Sequence, residues 1–514
     1  MEILISIEFG INLILLLIFY MHMFQLNSYF ASRYNTWAKQ NVKKIITPMV
    51  FTIIATTISI FNNQVLNIIT AIILAISIIY NIPRGKAKIP LKYTSRVKRM
   101  FLTQIILVGI VLVIAWQFNL QTLALGIFNI IASLMCVISN FINKPIEKSI
   151  GNYYINDAKK ILKSMPNLKI IGVTGSYGKT SVKNFLEKTL GAKYEVLITP
   201  RNFNTTMGVV RTIRENLKPT HQIFVCEMGA KNIGDIKEIC ELVHPDMGII
   251  TAIGPQHLDT FKSIDNIIKT KFELYDAVNA KGGVTFLNAD NEYIAQNIDR
   301  ENVITYGVNN DKLDYNSYNL VSSSRGLAFN IKDKDNGEEV VYRTKLIGKH
   351  NVENITGAIA VANYLDVPLK KMVKHVREIK SVDHRLQIIP RGNLTIIDDA
   401  YNSNPISSKA AIDTLAEFPG TKIVVTPGMI ELGEDEEKYN HEFGKYMANV
   451  CDYIVVVGEQ NSEAIISGAK ENGYDEKNII KVKSPQEGME AISKKNILGE
   501  VVVLLENDLP DNYK

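Results

Sequence analysis

The chain has 514 residues, 57 Lys and Arg against 52 Asp and Glu, and a formal net charge of +5. That length fits two to four domains, each able to bury a core of its own. Charged residues form 21% of the whole but are scarce in long apolar runs within the first 150 residues, which argues against a wholly soluble chain. The surplus of cations lies beside those runs, so it points to anionic lipid headgroups and gives no case for nucleic acid.

A hydrocarbon core about 30 Å thick takes roughly 20 apolar residues per spanning helix. Five segments qualify: 3–24, 45–61, 65–80, 101–118 and 120–142. The second and third are short and are joined only by Asn62, Asn63 and Gln64, and the fourth and fifth meet at Asn119. Both joins read as tight hairpins. Cations mark cytoplasmic loops. Arg33, Lys39, Lys43 and Lys44 follow the first span; Arg84, Lys86, Lys88, Lys92, Arg96, Lys98 and Arg99 follow the third; the hairpin tips carry none. Five spans with the N-terminus outside satisfy this pattern and deliver the rest of the chain to the cytoplasm. The alternative is that one short segment is re-entrant or interfacial. Cys136, Cys226, Cys240 and Cys451 have no metal-type spacing and suit a reduced compartment as small core residues.

From residue 168 short apolar runs alternate with helical stretches, the pattern of a parallel sheet covered on both faces. Strands are expected at 169–174, 195–199, 222–226, 247–251 and 283–287, then an antiparallel insert over 303–346 with a turn at Asp335-Asn336-Gly337. A second series is expected at 394–398, 422–426, 453–457, 479–482 and 501–505. The predicted architecture is an α-helical transmembrane bundle (1–150) followed by two α/β domains. These are a central doubly wound parallel sheet carrying a P-loop (151–385) and a smaller Rossmann-like C-terminal domain (386–514).

The strongest local signal is Gly172-Val173-Thr174-Gly175-Ser176-Tyr177-Gly178-Lys179-Thr180-Ser181, after a strand and opening a helix. Backbone N–H groups at a helix start, with the helix dipole, attract phosphate oxygens. Lys179 would then hold the β/γ-phosphates and the Thr180 hydroxyl a Mg²⁺. Val173 stands where the first Gly of the standard pattern belongs, so an ordinary Gly-rich strand–helix turn is the competing reading.

Thr174 to Thr180 resembles the shorter loop of the Mur ligases, enzymes that join amino acids or peptides to cell-wall precursors. The likeness continues in order with Asn202-Phe203-Asn204-Thr205-Thr206-Met207-Gly208, Glu227-Met228-Gly229, Gly254-Pro255-Gln256-His257-Leu258 and Lys269-Thr270-Lys271-Phe272-Glu273-Leu274. Gly348-Lys349-His350-Asn351-Val352-Glu353-Asn354 and His384-Arg385 follow. Asp398-Asp399-Ala400-Tyr401-Asn402-Ser403-Asn404-Pro405 and Gly428-Met429-Ile430-Glu431-Leu432-Gly433 are most similar to the branch that adds D-alanyl-D-alanine.

The resemblance implies ATP-driven conversion of a carboxylate to an acyl phosphate, which an amine then attacks. It implies ATP contacts from Gly175, Ser176, Gly178, Lys179, Thr180, Ser181, Asn354 (adenine), Asp399 (ribose) and Arg385 (phosphates, from the second domain). Two Mg²⁺ would be held by Thr180, Glu227, His257 and a Lys271 carbamylated by CO₂. Lys179, Lys271, His257 and Arg385 would be catalytic, and Asn202, Asn204 and Thr205 would face substrate. Standing alone, several of these have plainer readings. Glu227 could be a solvated strand-end carboxylate, His257 a structural imidazole, Lys271 and Glu273 surface charges, and Glu431 to Glu437 a solvated acidic helix start. His350 is expected to shape its loop, and Tyr401 and Asn404 are open between nucleotide packing and a turn ending at Pro405.

The likeness stops at both ends. Family members usually begin with a soluble domain that grips a UDP-sugar, where this chain has its apolar runs, and residues 505–514 lack the expected Gly-Ser/Lys-Arg-like closing segment. Three functions remain: joining D-Ala-D-Ala to a UDP-muramoyl-tripeptide, the same ligation on a lipid-linked acceptor, or a non-enzymatic nucleotide-binding membrane scaffold. The partners implied are a cell-wall precursor, an amino acid or dipeptide, and membrane lipid.

Overall fold

The computed structural model describes residues 2–61, 63–82, 89–333, 337, 339–401, 404–495 and 497–508. The expected turn residues Asn62, Asp335 and Asn336, the cations Arg84, Lys86 and Lys88, the motif residues Asn402 and Ser403, and the closing residues 509–514 lie outside them. The described chain divides into a helical unit up to Tyr153 and a second unit from Tyr154 to Asp508.

The first unit contains α1 (Glu2–Leu26), α2 (Ala31–Gln40), α3 (Val42–Ser59), α4 (Gln64–Asn81), α5 (Ser95–Gln117), α6 (Gln121–Ile130) and most of α7 (Ala132–Lys163). Four of these (α1, α3, α4 and α5) are long and apolar enough to cross a membrane. The expected fifth span is not one straight helix: α6 and α7 meet at a bend of 83° around Ile131, and they make a fifth crossing only if the bent pair counts as one. The basic segment after α1 is no simple loop either. It forms α2, whose Tyr34 and Trp37 stack at 5.5 Å and are buried, while Arg33 is half-buried and Lys39 exposed, and Lys43 and Lys44 lie in the first turn of α3. Apolar residues cannot by themselves fix how such helices pair, and polar side chains inside the unit do part of that work. Asn12 donates to Asn129 (3.0 Å) and accepts from Ser77 (3.2 Å) and Asn81 (2.9 Å).

The second unit holds two sheets. In the first, β1 (Lys169–Thr174), β2 (Val196–Ile198), β3 (Ile223–Glu227), β4 (Met247–Ile250), β5 (Val284–Asn288), β6 (Val303–Val308), β7 (Tyr315–Ser323), β8 (Gly326–Asp333) and β9 (Glu339–Thr344) lie in the order β2-β3-β1-β4-β5-β6-β7-β8-β9. Pairing is parallel from β2 through β7 and antiparallel only for β7–β8–β9, so the insert expected at 303–346 begins by extending the parallel sheet. Helices α8 (Lys179–Leu190), α9 (Thr206–Asn216), α10 (Asp235–Val243), the single turns α11 (Leu258–Phe261) and α13 (Glu292–Ala295), α12 (Ile264–Asn279), α14 (His350–Tyr364) and α15 (Leu369–Arg377) accompany it. Two apolar clusters form its core, one containing Val182, Phe286 and Ile359 and the other Val209, Phe224 and Leu274.

The second sheet has the order β10-β11-β15-β12-β13-β14, built from β10 (Gln387–Arg391), β11 (Leu394–Asp399), β12 (Thr421–Thr426), β13 (Tyr453–Val457), β14 (Ile479–Val482) and β15 (Val501–Glu506). Its helices are α16 (Pro405–Ala416), α17 (Glu436–Ala448), α18 (Ser462–Glu471) and α19 (Pro485–Ser493). All five expected strands are parallel neighbours; β10, antiparallel at the edge, was not foreseen. The four cysteines are buried and free.

Candidate active site

Parallel α/β sheets bind ligands beyond the carboxyl ends of their strands. Here the loops after β1, β3 and β4 converge. The loop after β1 turns on Gly178 (φ +80°), which is the residue before α8, and a Cβ built there would lie 2.8 Å from Asn354 Oδ1. Glycine serves both needs, a left-handed backbone and a close neighbour. Asn354, on α14, therefore stands directly against the loop. Ser176 is fully buried: its N–H donates to Ala252 O (2.6 Å) and its hydroxyl to Gly254 O (3.0 Å). It ties the β1 and β4 loops together, with both of its donors engaged there.

Lys179 donates to Gly175 O (2.6 Å) and Ser176 O (2.9 Å), curled over the cradle. Burial lowers its pKa to about 8, with Glu227 opposing the shift and Arg385 adding to it. Thr180 donates to Glu227 Oε1 (3.0 Å) and Ser181 lies in the same first turn of α8. Glu227 is not a solvated strand-end carboxylate. It ends β3 at 1% exposure, accepts from Asn204 Nδ2 (3.0 Å) and forms a 2.9 Å ion pair with Lys183, equally buried. Burial pushes its pKa up, but Lys183, Lys179 and these hydrogen bonds outweigh that and hold it below the usual carboxylate value. Sequence reading passed over Lys183; its place one turn after Thr180, inside the phosphate-binding helix, was the available signal.

Asn204 thus serves Glu227. Thr205 caps α9, accepting from Gly208 N (3.3 Å), and Asn202 is exposed. Of these three expected substrate residues only Asn204 enters the cluster.

Lys271 is buried on α12 at 2% exposure, and no hydrogen-bond or ion-pair partner reaches its ammonium among the described residues. Burial, reinforced by Lys179, lowers its pKa well below the lysine value. His257 has φ +52° and bonds through Nδ1 to Glu431 of the C-terminal domain; burial lowers its pKa, with Glu431 opposing and Lys231 and Lys271 adding. Glu431 therefore is not part of a solvated acidic helix start. Glu273 is no surface charge either: its two oxygens accept from Gly234 N and Lys237 N (2.8 Å each), satisfying the start of α10.

Arg385, in the segment that joins the two sheets, lies close enough to lower the basicity of both Lys179 and His350. Asp399 accepts from Leu386 N (3.1 Å), and burial with Glu506 nearby, partly offset by Arg385, raises its pKa to about 7. Asn404 caps α16, closing a capping box with Ser407, and Tyr401 stacks on His384 at 5.4 Å. Glu353, beside Asn354, was also missed; burial raises it to about 7 against a hydrogen bond from Asn288.

Among the described residues no three His, Cys, Asp or Glu side chains gather as a metal site. What gathers instead at the strand ends is Lys179 with Glu227 and Arg385, Lys271 near Lys179, and His257 near Lys271. Such an arrangement can neutralise a polyphosphate and stabilise charge building on its terminal phosphorus.

Residues 173–362 match the family model described as Mur ligase middle domain, and 384–505 the one described as Mur ligase, glutamate ligase domain. The UDP-N-acetylmuramoyl-tripeptide–D-alanyl-D-alanine ligase of Haemophilus influenzae is 30% identical over 369 residues, covering 70% of this chain and 75% of that protein. That of Bacillus subtilis is 34% identical over 279 residues, 54% of this chain, which spans only 59% of the relative's length. Among solved structures, MurF from Acinetobacter baumannii superposes with a TM-score of 0.63 at 26% identity, covering 70% of this chain and 77% of that one. MurF ligase from Thermotoga maritima in complex with ADP shares the fold, with a TM-score of 0.63 at 24% identity, covering 71% and 82%.

Proposed function

The chain belongs to the Mur ligase family, and from that premise we propose that it is an ATP-dependent ligase joining a D-alanyl-D-alanine-like amine to the carboxylate of a UDP-muramoyl-tripeptide-like acceptor. The observation that carries this reading is the cluster at the ends of β1 and β3, where Lys179 curls over the Gly175–Gly178 loop and Thr180 and Lys183 both meet the buried Glu227.

A carboxylate oxygen of the acceptor attacks the γ-phosphorus of ATP, the bond to the ADP oxygen breaks, and an acyl phosphate and ADP result. The amine then attacks the acyl carbon, phosphate leaves with the bonding pair, and the amine nitrogen gives up a proton. Lys179 and the N–H groups of the α8 start take the phosphate charge, and Arg385 adds a cation from the segment that joins the two sheets. Closure of the two domains keeps water from the acyl phosphate. Asn354 and Asp399 suit the nucleoside. Below a pH of about 7 Asp399 is protonated and donates; above it, it accepts.

The donor set suits Mg²⁺ at Thr180 and Glu227, whose oxygens already lie 3.0 Å apart; a bound ion there would neutralise developing phosphate charge. A second ion near His257 needs an anionic partner, and a lysine ammonium would repel it. Lys271 would resolve this as a carbamate: its neutral amine, favoured by burial and by Lys179 against the opposing pull of Asp235 and Glu273, would add to CO₂ and release a proton.

The helical unit up to Tyr153, with its four membrane-length apolar helices, supports a second reading for the acceptor, the same ligation on a lipid-linked precursor. Counting the bent α6–α7 pair as a fifth crossing, it also supports a multi-pass membrane location with the catalytic domains cytoplasmic. The test is amine-dependent ADP release by the detergent-solubilised full chain, offered UDP-linked and undecaprenyl-linked acceptors in parallel. Turnover should vanish in Lys179→Ala and return partly in Lys271→Ala on adding short carboxylic acids. No amine-dependent turnover with either acceptor would leave only a nucleotide-binding scaffold.

A further inference from the structure

Glu431 follows β12, in the loop that leads to α17 of the C-terminal domain, yet its carboxylate is spent on the central domain. One oxygen meets His257 Nδ1, and the other lies 3.5 Å from Lys231 Nζ in the loop after β3. Both ends of the first contact are held in the left-handed backbone region, His257 at φ +52° and Glu431 at φ +62°. Neither is a glycine, so each conformation costs on the order of 1 kcal/mol and persists because the surroundings impose it. Neighbouring contacts bring the same faces together: Gly433 lies against Asp259, and Ile406 of α16 against Gly254.

A carboxylate only accepts, so the hydrogen of His257 lies on Nδ1 and the lone pair on Nε2. That is the tautomer in which an imidazole can ligate or accept through Nε2, with its ring angle fixed by the second partner. The partner here comes from another domain, 174 residues away in sequence. We propose that Glu431 is a positioning residue which makes closure of the C-terminal domain a condition for an ordered reaction centre: it sets the tautomer and angle of His257 and locks the Lys231 loop only when the domains meet. The catalytic consequence rests on the ligase reading above; the latch itself does not.

The experiment compares Glu431→Ala, Glu431→Gln and Lys231→Met with the parent full chain in detergent. Three quantities are read: kcat with the amine KM, affinity for a non-hydrolysable ATP analogue, and nucleotide-dependent hydrogen-exchange protection of residues 254–262 and 428–436. Glu431→Ala should lower kcat by about 10- to 100-fold, as loss of such an outer partner does elsewhere. It should abolish the added protection of both loops, and should weaken analogue affinity only by the share that closure contributes through Arg385 and Asp399. Glu431→Gln still accepts from Nδ1 but loses the charge toward Lys231, so it should fall between Ala and parent, and Lys231→Met should lie near Gln. The proposal is overturned if Glu431→Ala turns over at the parent rate or keeps the protection. Should the parent ligate no amine at all, the ligase reading fails while the exchange measurement still decides the latch.

Discussion

Replacing Lys183 by Met gives the sharpest test of the electrostatics at the site. Lys183 and Glu227 are each 1% exposed and 2.9 Å apart, an attraction of about 6 kcal/mol at an effective dielectric of 20. Most of that offsets the cost of taking both charges out of water, so the pair contributes little net stability, but removing one partner leaves a charge buried. The chain then has an escape, which is to protonate Glu227. From an ordinary value of 4.5 that costs about 1.4 kcal/mol per pH unit, hence about 3.4 kcal/mol at pH 7 and about 0.7 kcal/mol at pH 5. The signs agree with linkage. In the parent, Glu227 is held low, so its contribution is present above pH 4.5 and is lost as pH falls through its folded value. In the variant it is held high, and the deficit grows with pH. Lys183→Met/Glu227→Gln, which removes both charges, should return to within about 1 kcal/mol of the parent. The two tryptophans, Trp37 and Trp116, lie in the N-terminal helical unit, so their fluorescence would miss the event; pulse proteolysis in urea reads the catalytic unit. A Lys183→Met deficit under about 1 kcal/mol at pH 7, or one that does not change with pH, would refute the claim that Lys183 is what neutralises the buried Glu227.

Gly178→Ala should weaken nucleotide binding about tenfold by calorimetry, since a Cβ there meets Asn354 and the φ of +80° costs an L-residue about 1–2 kcal/mol. Glu353, raised to about 7, contributes stability that is complete below pH 4.5 and lost as pH rises through 7. Unfolding between pH 5 and 8 should therefore show up to about 3 kcal/mol of decline that Glu353→Gln removes. Lys179, at about 8 in the free protein, sheds its proton as pH rises past that value, so affinity for an ATP analogue should fall between pH 7 and 9 and lose that slope in Lys179→Met.

Much of the site was legible because its parts are local. A P-loop needs its glycines, lysine and threonine within a few residues of a strand end, and the strand-end Glu227 and the Lys271 helix follow it in chain order within the same sheet. The apolar runs were legible for a similar reason, since a buried strand or a spanning helix declares itself by length and composition. The 83° bend at Ile131 did not, because nothing in an apolar run says where a helix turns aside.

What sequence alone determined, then, is the inventory: two α/β sheets, a glycine-rich loop opening a helix, and the residue types gathered beside it. Only the tertiary structure decided the pairings, that Lys183 neutralises Glu227, that Ser176 staples two loops, that Glu273 serves α10, and that Glu431 reaches His257. Each partner is far away in sequence, and a side chain's charge state and purpose depend on what lies within a few ångströms of it, a distance that the order of residues along a chain does not encode.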